Sequence, residues 1–372
     1  MMSLQSIYFD HNATTAPSPE VLYAMMQTYQ FAYNSSAIHH LGSRANKQIN
    51  DARSAIQKAL NAYNYDVVFT SGATEATNML FFGINNVTDI IISNIEHVAV
   101  FNCRPPHKNI TEIKCNSDSL IDLQQVSLPN HANFLLSAML VNNETGSIQP
   151  IKELAQLVHQ KSGLIHCDIA QAVGKIAVDL ESLNVDFASL SAHKFNGPQG
   201  IGALLIRKGL DINPLILGGK QEKGKRAGTV NVAGAVGFGI AILQAQQNLS
   251  EFSKLAILQQ YLEQKLLNIF GKDVYIFAQN ATRVSNTTLF SLKKQHSQTV
   301  VIDCDINNIC ISAGAACSSG TINQSRILNA INADPNFIAG AVRVSLGINN
   351  TIAEIDYFLD VLNNFYLRSN SQ

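Results

Sequence analysis

The sequence predicts an α/β fold: a large domain on a mostly parallel sheet, followed by a smaller α+β domain. Two observations lead there. Between about residues 65 and 207, the β-rich runs "DVVFT", "DIIIS", "FLLSAML", "LIHCDI", "FASLSA" and "GALLIR" alternate with helical or turn-rich stretches, the rhythm of strand–helix–strand units. From about residue 250 the pattern changes to one long helical segment, strands around "VYIFA" and "SNTTLFSL", and a closing helix.

The individual elements follow from spacing. In "SRANKQINDARSAIQKAL", Ala45, Ile49, Ala52, Ile56 and Leu60 share one helical face, with Ser43 as the expected cap. In "TIAEIDYFLDVLNNFYL", Thr351 and Glu354 form a capping box, and Ile352, Ile355, Leu359 and Leu362 form the stripe that should face a core. The expected boundaries are 14–250 for the large domain and 251–372 for the small one, with residues 1–13 packing near the latter. Hydrophobic residues are 46% and charged residues 14% of the 372, which suits a compact globule with some surface buried against another subunit. A formal net charge of −1 leaves no electrostatic footprint for nucleic acid or an anionic membrane. The start "MMSLQSIYFDHNATT" lacks a basic, apolar leader, so the cytoplasm is the expected compartment. The six cysteines include no C-x-x-C pair, which points away from a zinc knuckle or a disulfide framework and leaves room for a working thiol.

Three segments carry candidate chemistry. "FTSGATEATNML" places Ser71, Gly72, Ala73 and Thr74 where a strand opens into a helix, either an ordinary capped start or an anion site made of free amides and the Thr74 hydroxyl. "LIHCDIAQAVGK" ends a strand at Asp168 with Gln171 three residues on. That carboxylate either caps a turn or holds a pyridinium nitrogen protonated. "SLSAHKFNG" puts Ser191 and His193 beside Lys194, whose amine would be a nucleophile once burial and nearby positive charge deprotonate it. "GKQEKGKR" imitates a phosphate-binding loop, but Arg226 stands where a magnesium-binding Ser or Thr belongs.

Taken together, from "YFDHNATTAPSPEV" to "AVRVSLG", the chain resembles the cysteine desulfurases, class V aminotransferases among the fold-type I pyridoxal-phosphate enzymes. The resemblance implies a seven-stranded-type sheet, pyridoxal 5'-phosphate as cofactor, and L-cysteine as substrate. It implies Lys194 as the Schiff-base lysine and Asp168 as partner of the pyridine nitrogen, with Gln171 and Asn143 at the phenolic oxygen. His97 of "IEHVAV" would stack on the ring and act as acid and base. Ala73, Thr74, Ser191 and His193 would hold the phosphate, and Thr229 of "GKRAGTVN" would reach it from the neighbouring subunit of a homodimer. Arg343 would grip the substrate carboxylate. Asn12, and Asn143 a second time, would lie near the substrate.

"ISAGAACSSG" resembles the sulfur-carrying loop and makes Cys317 the nucleophile that receives sulfur as a persulfide; Cys304 and Cys310 read as core residues. The sulfur would pass to an acceptor protein or thiol, for iron-sulfur cluster assembly or tRNA thiolation. No metal site is expected. Lys220 stands where the family commonly has a third glycine, and Ala315 where it commonly has serine. The competing readings are a selenocysteine lyase or another class V enzyme in which Cys317 is dispensable, and a catalytically silent interaction subunit.

Overall fold

The structure, a computed structural model, describes residues 6–314 and 325–370. The N-terminal part contains β1 (Ile7–Tyr8), α1 (Pro19–Tyr29), α2 (His40–Ala59), β2 (Tyr65–Thr70), α3 (Ala73–Gly83), β3 (Asp89–Ser93) and α4 (Val98–Phe101). It continues through β4 (Asn109–Ile113), β5 (Phe134–Met139), α5 (Ile151–Gln160), β6 (Leu164–Asp168), α6 (Leu180–Leu183), β7 (Phe187–Ser191), β8 (Gly202–Arg207) and α7 (Val232–Gln247). Then come α8 (Leu249–Ser253), α9 (Leu255–Phe270), β9 (Val274–Ile276), β10 (Thr287–Leu292), α10 (Ser297–Ile306), β11 (Ile309–Cys310) and β12 (Ser312–Ala313). The described chain closes with α11 (Arg326–Ala330), α12 (Pro335–Ile338), β13 (Ala341–Ser345) and α13 (Ile352–Asn370).

Seven strands form the large sheet in the order β2-β8-β7-β6-β5-β3-β4. From β7 to β4 neighbours pair in parallel, while β8 runs antiparallel to both β7 and β2. The short apolar runs are continuous because both faces are covered. Ile91, Leu136, Ile165 and Leu205 join the core beneath α2, α5 and α7, whereas Ile90, Ile92, Leu135 and Leu204 join the core under α3.

The smaller sheet, β12-β13-β10-β9, is antiparallel. α9, α10 and α13 pack on it around Phe9, Phe290 and Phe358. Rings of Phe9 and Phe358 meet edge to face at 5.9 Å, an arrangement that favours the positive ring edge against a negative face. The N-terminal segment belongs to this layer: β1 pairs with β11, and Asp10 bridges to Ser345. It then crosses to the large sheet, where Thr15 N–H donates to His193 O at 2.9 Å.

Three local expectations need correction. α2 starts three residues before Ser43; His39 is its cap, with Nδ1 accepting from Gly42 N–H at 3.3 Å. The Thr351–Glu354 capping box forms, with Thr351 N–H donating to Glu354 at 2.8 Å, but Ile352 is exposed while Ile355, Leu359 and Leu362 are buried. Ile352 sits in the first turn, before the helix reaches the core. The edge strand β4 was not anticipated, because most of "NITEI" is solvent-facing and lacks an apolar run. No described helix is long and apolar enough to cross a membrane.

Candidate active site

Parallel strands present their C-terminal ends on one side of a sheet, and that is where α/β folds place ligands. Here the segments leaving those ends, with the N-terminal crossing and β13, wall a cavity of about 570 Å³.

At the end of β2, α3 begins at Ala73 with no side-chain cap on its first turn. Its leading amides are therefore left without a side-chain acceptor beside the cavity, the arrangement that an anion could use. The turn can sit this low because Gly202 on β8 has no side chain; a Cβ there would lie 2.6 Å from Gly72 Cα. Glu75 lines the same turn, its charge matched by Arg226 at 2.8 Å.

Beyond β3, His97 caps α4, and its Nδ1 accepts from Ala99 N–H at 3.2 Å, which leaves the ring proton on Nε2. Burial, reinforced by Lys194, Arg326 and Arg343, pushes its pKa down to about 4, so the imidazole is neutral near pH 7. Beyond β5, the side-chain Oδ1 of Asn143 is buried without a partner. Such an orphan acceptor on a cavity wall fits a ligand donor.

Asp168 ends β6, buried, with Oδ1 accepting from Ala170 N–H at 2.9 Å. Burial raises its pKa to about 6, and a cation placed against it would draw that back down. After β7, Ser191 and His193 line the wall, and His193 Nδ1 lies 3.1 Å from Thr14 Oγ1. Lys194 Nζ donates to the carbonyls of Asn12 and Ala13, each at 2.8 Å. Burial first, then Arg343, lowers its pKa to about 8, making it a far better nucleophile than an ordinary lysine.

Arg343 reaches in from β13, donating to Asn143 O at 2.9 Å and Asp10 at 2.6 Å, with its Nε buried and unpartnered. Asn12 lines the cavity, but its side chain is consumed by the protein. Its Nδ2 donates to Asn143 O and Thr287 Oγ1, and its Oδ1 accepts from Lys175 and Asn286. Gln171 likewise spends its Nε2 on Asn12 O at 2.9 Å.

The cavity thus gathers Asn12, Ala73, Thr74, His97, Asn143, Asp168, Gln171, Ser191, His193, Lys194 and Arg343. Thr229 lies instead in an adjoining pocket of about 160 Å³ that shares Ser71 and Gly200 with the first. Cys317 and Ala315 fall outside the described residues. Of the two cysteines expected in the core, Cys304 is buried and Cys310 only half-buried, at the rim where β11 meets β1. The lysine of the phosphate-loop imitation, Lys225, pairs with Asp211. Among the described residues no group of three or more His, Cys, Asp or Glu side chains is placed to hold a metal ion.

Sequence reasoning missed Asp10, Lys175, Glu96, Glu144 and Arg326. Glu96 and Glu144 are buried carboxyls pushed up to about 8 and about 7 by burial. Arg326 donates to the carbonyls of Asn94 and Glu96, tying the start of α11 to the His97 turn. Asp10 and Arg326 find their partners hundreds of residues away, where no local pattern announces them, whereas Lys175 has Gln171 four residues before it and Glu96 has Ser93 three residues before it.

A cavity of this composition at these strand ends agrees with comparison to known proteins: the family model of class V aminotransferases matches residues 7–358. The chain belongs to the class V aminotransferase family, in its cysteine desulfurase branch. The cysteine desulfurase IscS of Dictyoglomus turgidum is 37% identical over 96% of this chain and 94% of its own length. That of Clostridium botulinum strain Hall is 35% identical, with the same coverage. A NifS-like protein from Rickettsia africae superposes with a TM-score of 0.88 at 33% identity, covering 97% of this chain and 99% of its own. The superposition extends over nearly the whole of both chains, so the NifS-like protein shares the fold that shapes the cavity here.

Proposed function

We propose that the protein is a pyridoxal-phosphate-dependent cysteine desulfurase, converting L-cysteine to L-alanine and taking the sulfur onto Cys317. The observation that carries this reading is the convergence of Lys194, Asp168, His97, Thr74 and Arg343 on one cavity, in a chain of the cysteine desulfurase branch. The uncapped start of α3 with Thr74, Ser191 and His193 fits a phosphate, and the buried Asp168 carboxylate fits a protonated ring nitrogen. Bound there, pyridoxal phosphate would supply an electron sink for charge developing at the substrate α-carbon.

The chain's own groups supply the rest. Lys194 Nζ, neutral above about pH 8, accepts the α-proton and is well placed to return it. Asp168 would keep that sink effective by favouring a proton on the ring nitrogen of the bound cofactor. Neutral His97 offers its Nε2 proton and a flat ring to the cavity. Arg343 presents a planar donor to the substrate carboxylate. The Cys317 thiolate attacks the substrate sulfur: an S–S bond forms, the Cβ–S bond breaks, and its electron pair stays on carbon, which gains protons and leaves as alanine. Four of the other cysteines fit this poorly, since burial raises the thiols of Cys103, Cys115 and Cys304 to about 12 and that of Cys167 well above its ordinary value, and burial raises that of Cys310 as well.

We assign residues 14–250 to the cofactor-binding domain and 251–372 to the small domain, with residues 1–13 beside it, a division supported by the pairing of β1 with β11. A homodimer is supported by the exposed Leu22, Tyr23, Met26 and Tyr29 along α1, and it would let Thr229 act across the interface. The sulfur acceptor is a protein or thiol, an iron-sulfur scaffold or a tRNA-thiolation partner.

Incubating purified protein with L-cysteine should yield alanine and a persulfide mapped to Cys317. Cys317→Ser should bind the cofactor yet form neither. Normal alanine release by that variant, or transamination in place of desulfuration, would overturn the assignment.

A further inference from the structure

A second lysine, Lys175, lies behind the cavity and has no part in the chemistry described above. The residue is buried, only 6% exposed, and the charges bearing on it, Lys194 and Arg343, are both positive. Burial of an ammonium without a counter-charge is among the most costly arrangements in a protein. The lysine is held well below its ordinary pKa by that burial and by those two cations, and two of its N–H donors find acceptors in the protein. Nζ donates to Asn12 Oδ1 and Gln171 Oε1, each at 2.5 Å.

This pairing fixes which way two amides face. Asn12 Oδ1 has a second donor in Asn286 Nδ2 at 3.2 Å, so its orientation is secured twice. Lys175 is the only donor to Gln171 Oε1 among the hydrogen bonds of the described residues. With Oε1 held by Lys175 and one N–H of Nε2 given to Asn12 O, the second N–H of Nε2 has no acceptor among the hydrogen bonds of the described residues, and Gln171 is one of the residues that line the cavity.

Resting on the functional reading above, we propose that Lys175 is a positioning residue: by holding Gln171 Oε1 it makes the cavity floor a hydrogen-bond donor toward an anionic oxygen of the bound cofactor. A donor there favours the anionic form of that oxygen, so its loss changes how the bound cofactor titrates. A residue that merely filled space would not alter that titration.

The test uses the full-length protein reconstituted with pyridoxal phosphate, following visible absorption against pH and the dissociation constant for the cofactor. Lys175→Met, similar in length but without a donor, should move the absorption midpoint by about half a unit or more and weaken cofactor binding roughly tenfold, as for a lost hydrogen bond to a charged group. In a Gln171→Leu background the same change should add nothing, because the lysine acts through the glutamine. Should Lys175→Met not yield folded protein, Lys175→Gln keeps an amide donor one bond shorter and is expected to shift the midpoint in the same direction by less. An unchanged midpoint with reduced thermal stability, or additive effects in the double variant, overturns the inference and leaves the functional reading standing. A parent protein that shows no absorption from bound cofactor overturns both.

Discussion

The lowered pKa of Lys194 makes cofactor capture a direct measure of its environment. At about pH 7.5 an amine of pKa about 8 is roughly one-quarter unprotonated, whereas an ordinary lysine of pKa about 10.4 is roughly 0.1% unprotonated, so the structure supplies on the order of 200-fold more nucleophile. Mixing the cofactor-free protein with pyridoxal phosphate in a stopped-flow spectrometer and following the visible band gives the capture rate at each pH. That rate should climb with pH and level off just above pH 8. Arg343→Gln then separates the causes. It removes a positive charge and frees Asp10, which itself raises the lysine's pKa. The midpoint should therefore rise, but by less than about one unit, because burial outranks Arg343 as the cause. Circular dichroism would check that loss of the Arg343–Asp10 pair at 2.6 Å leaves the fold intact. A rate that keeps climbing tenfold per unit through about pH 9.5 would mean an ordinary exposed lysine and would refute the argument.

Two further outcomes follow from groups around the cavity. Glu96, fully buried with Oε1 accepting from Met139 N–H at 2.8 Å, is raised to about 8. A carboxyl whose folded pKa lies above its unfolded one gives stability that is full below the unfolded value and is lost as pH rises through the folded one, at up to about 1.4 kcal/mol per unit. Melting temperature should fall between about pH 6 and pH 8, and Glu96→Gln should shrink that fall while Glu144 maintains a smaller one; identical slopes in parent and variant would contradict it. Gly202→Ala places a Cβ 2.6 Å from both Gly72 Cα and Leu190 O, backbone atoms that yield little. Calorimetry should show a loss of about 1–3 kcal/mol, and isothermal titration should show weaker cofactor binding. Unaltered binding would mean the turn before α3 does not depend on that close approach.

Most of the framework was legible because its signals are local. Continuous apolar runs declare strands covered on both faces, and the capping box at Thr351 and Glu354 declares the start of α13. Failures were local too: His39 took the cap expected of Ser43, and β4 was hidden by its polar, edge-strand composition. Cavity residues were legible where each closes a strand of the sheet, since parallel pairing gathers such ends whatever their separation in sequence.

By itself, the sequence determined the order of the strands' polar ends and hence which side chains would meet: Asp168 after β6, Lys194 after β7, Thr74 after β2. It determined the residue types, and so the chemistry open to them. Only the tertiary structure decided their state. Lys194 has its pKa lowered because the assembled walls bury it and bring Arg343 near, and His97 is neutral chiefly because it is buried too. Asn12 proved to be a structural hub whose side chain is spent on Thr287, Lys175, Asn286 and Asn143. Protonation and hydrogen-bond direction depend on burial and on neighbours hundreds of residues apart, quantities that exist only once the chain has closed on itself.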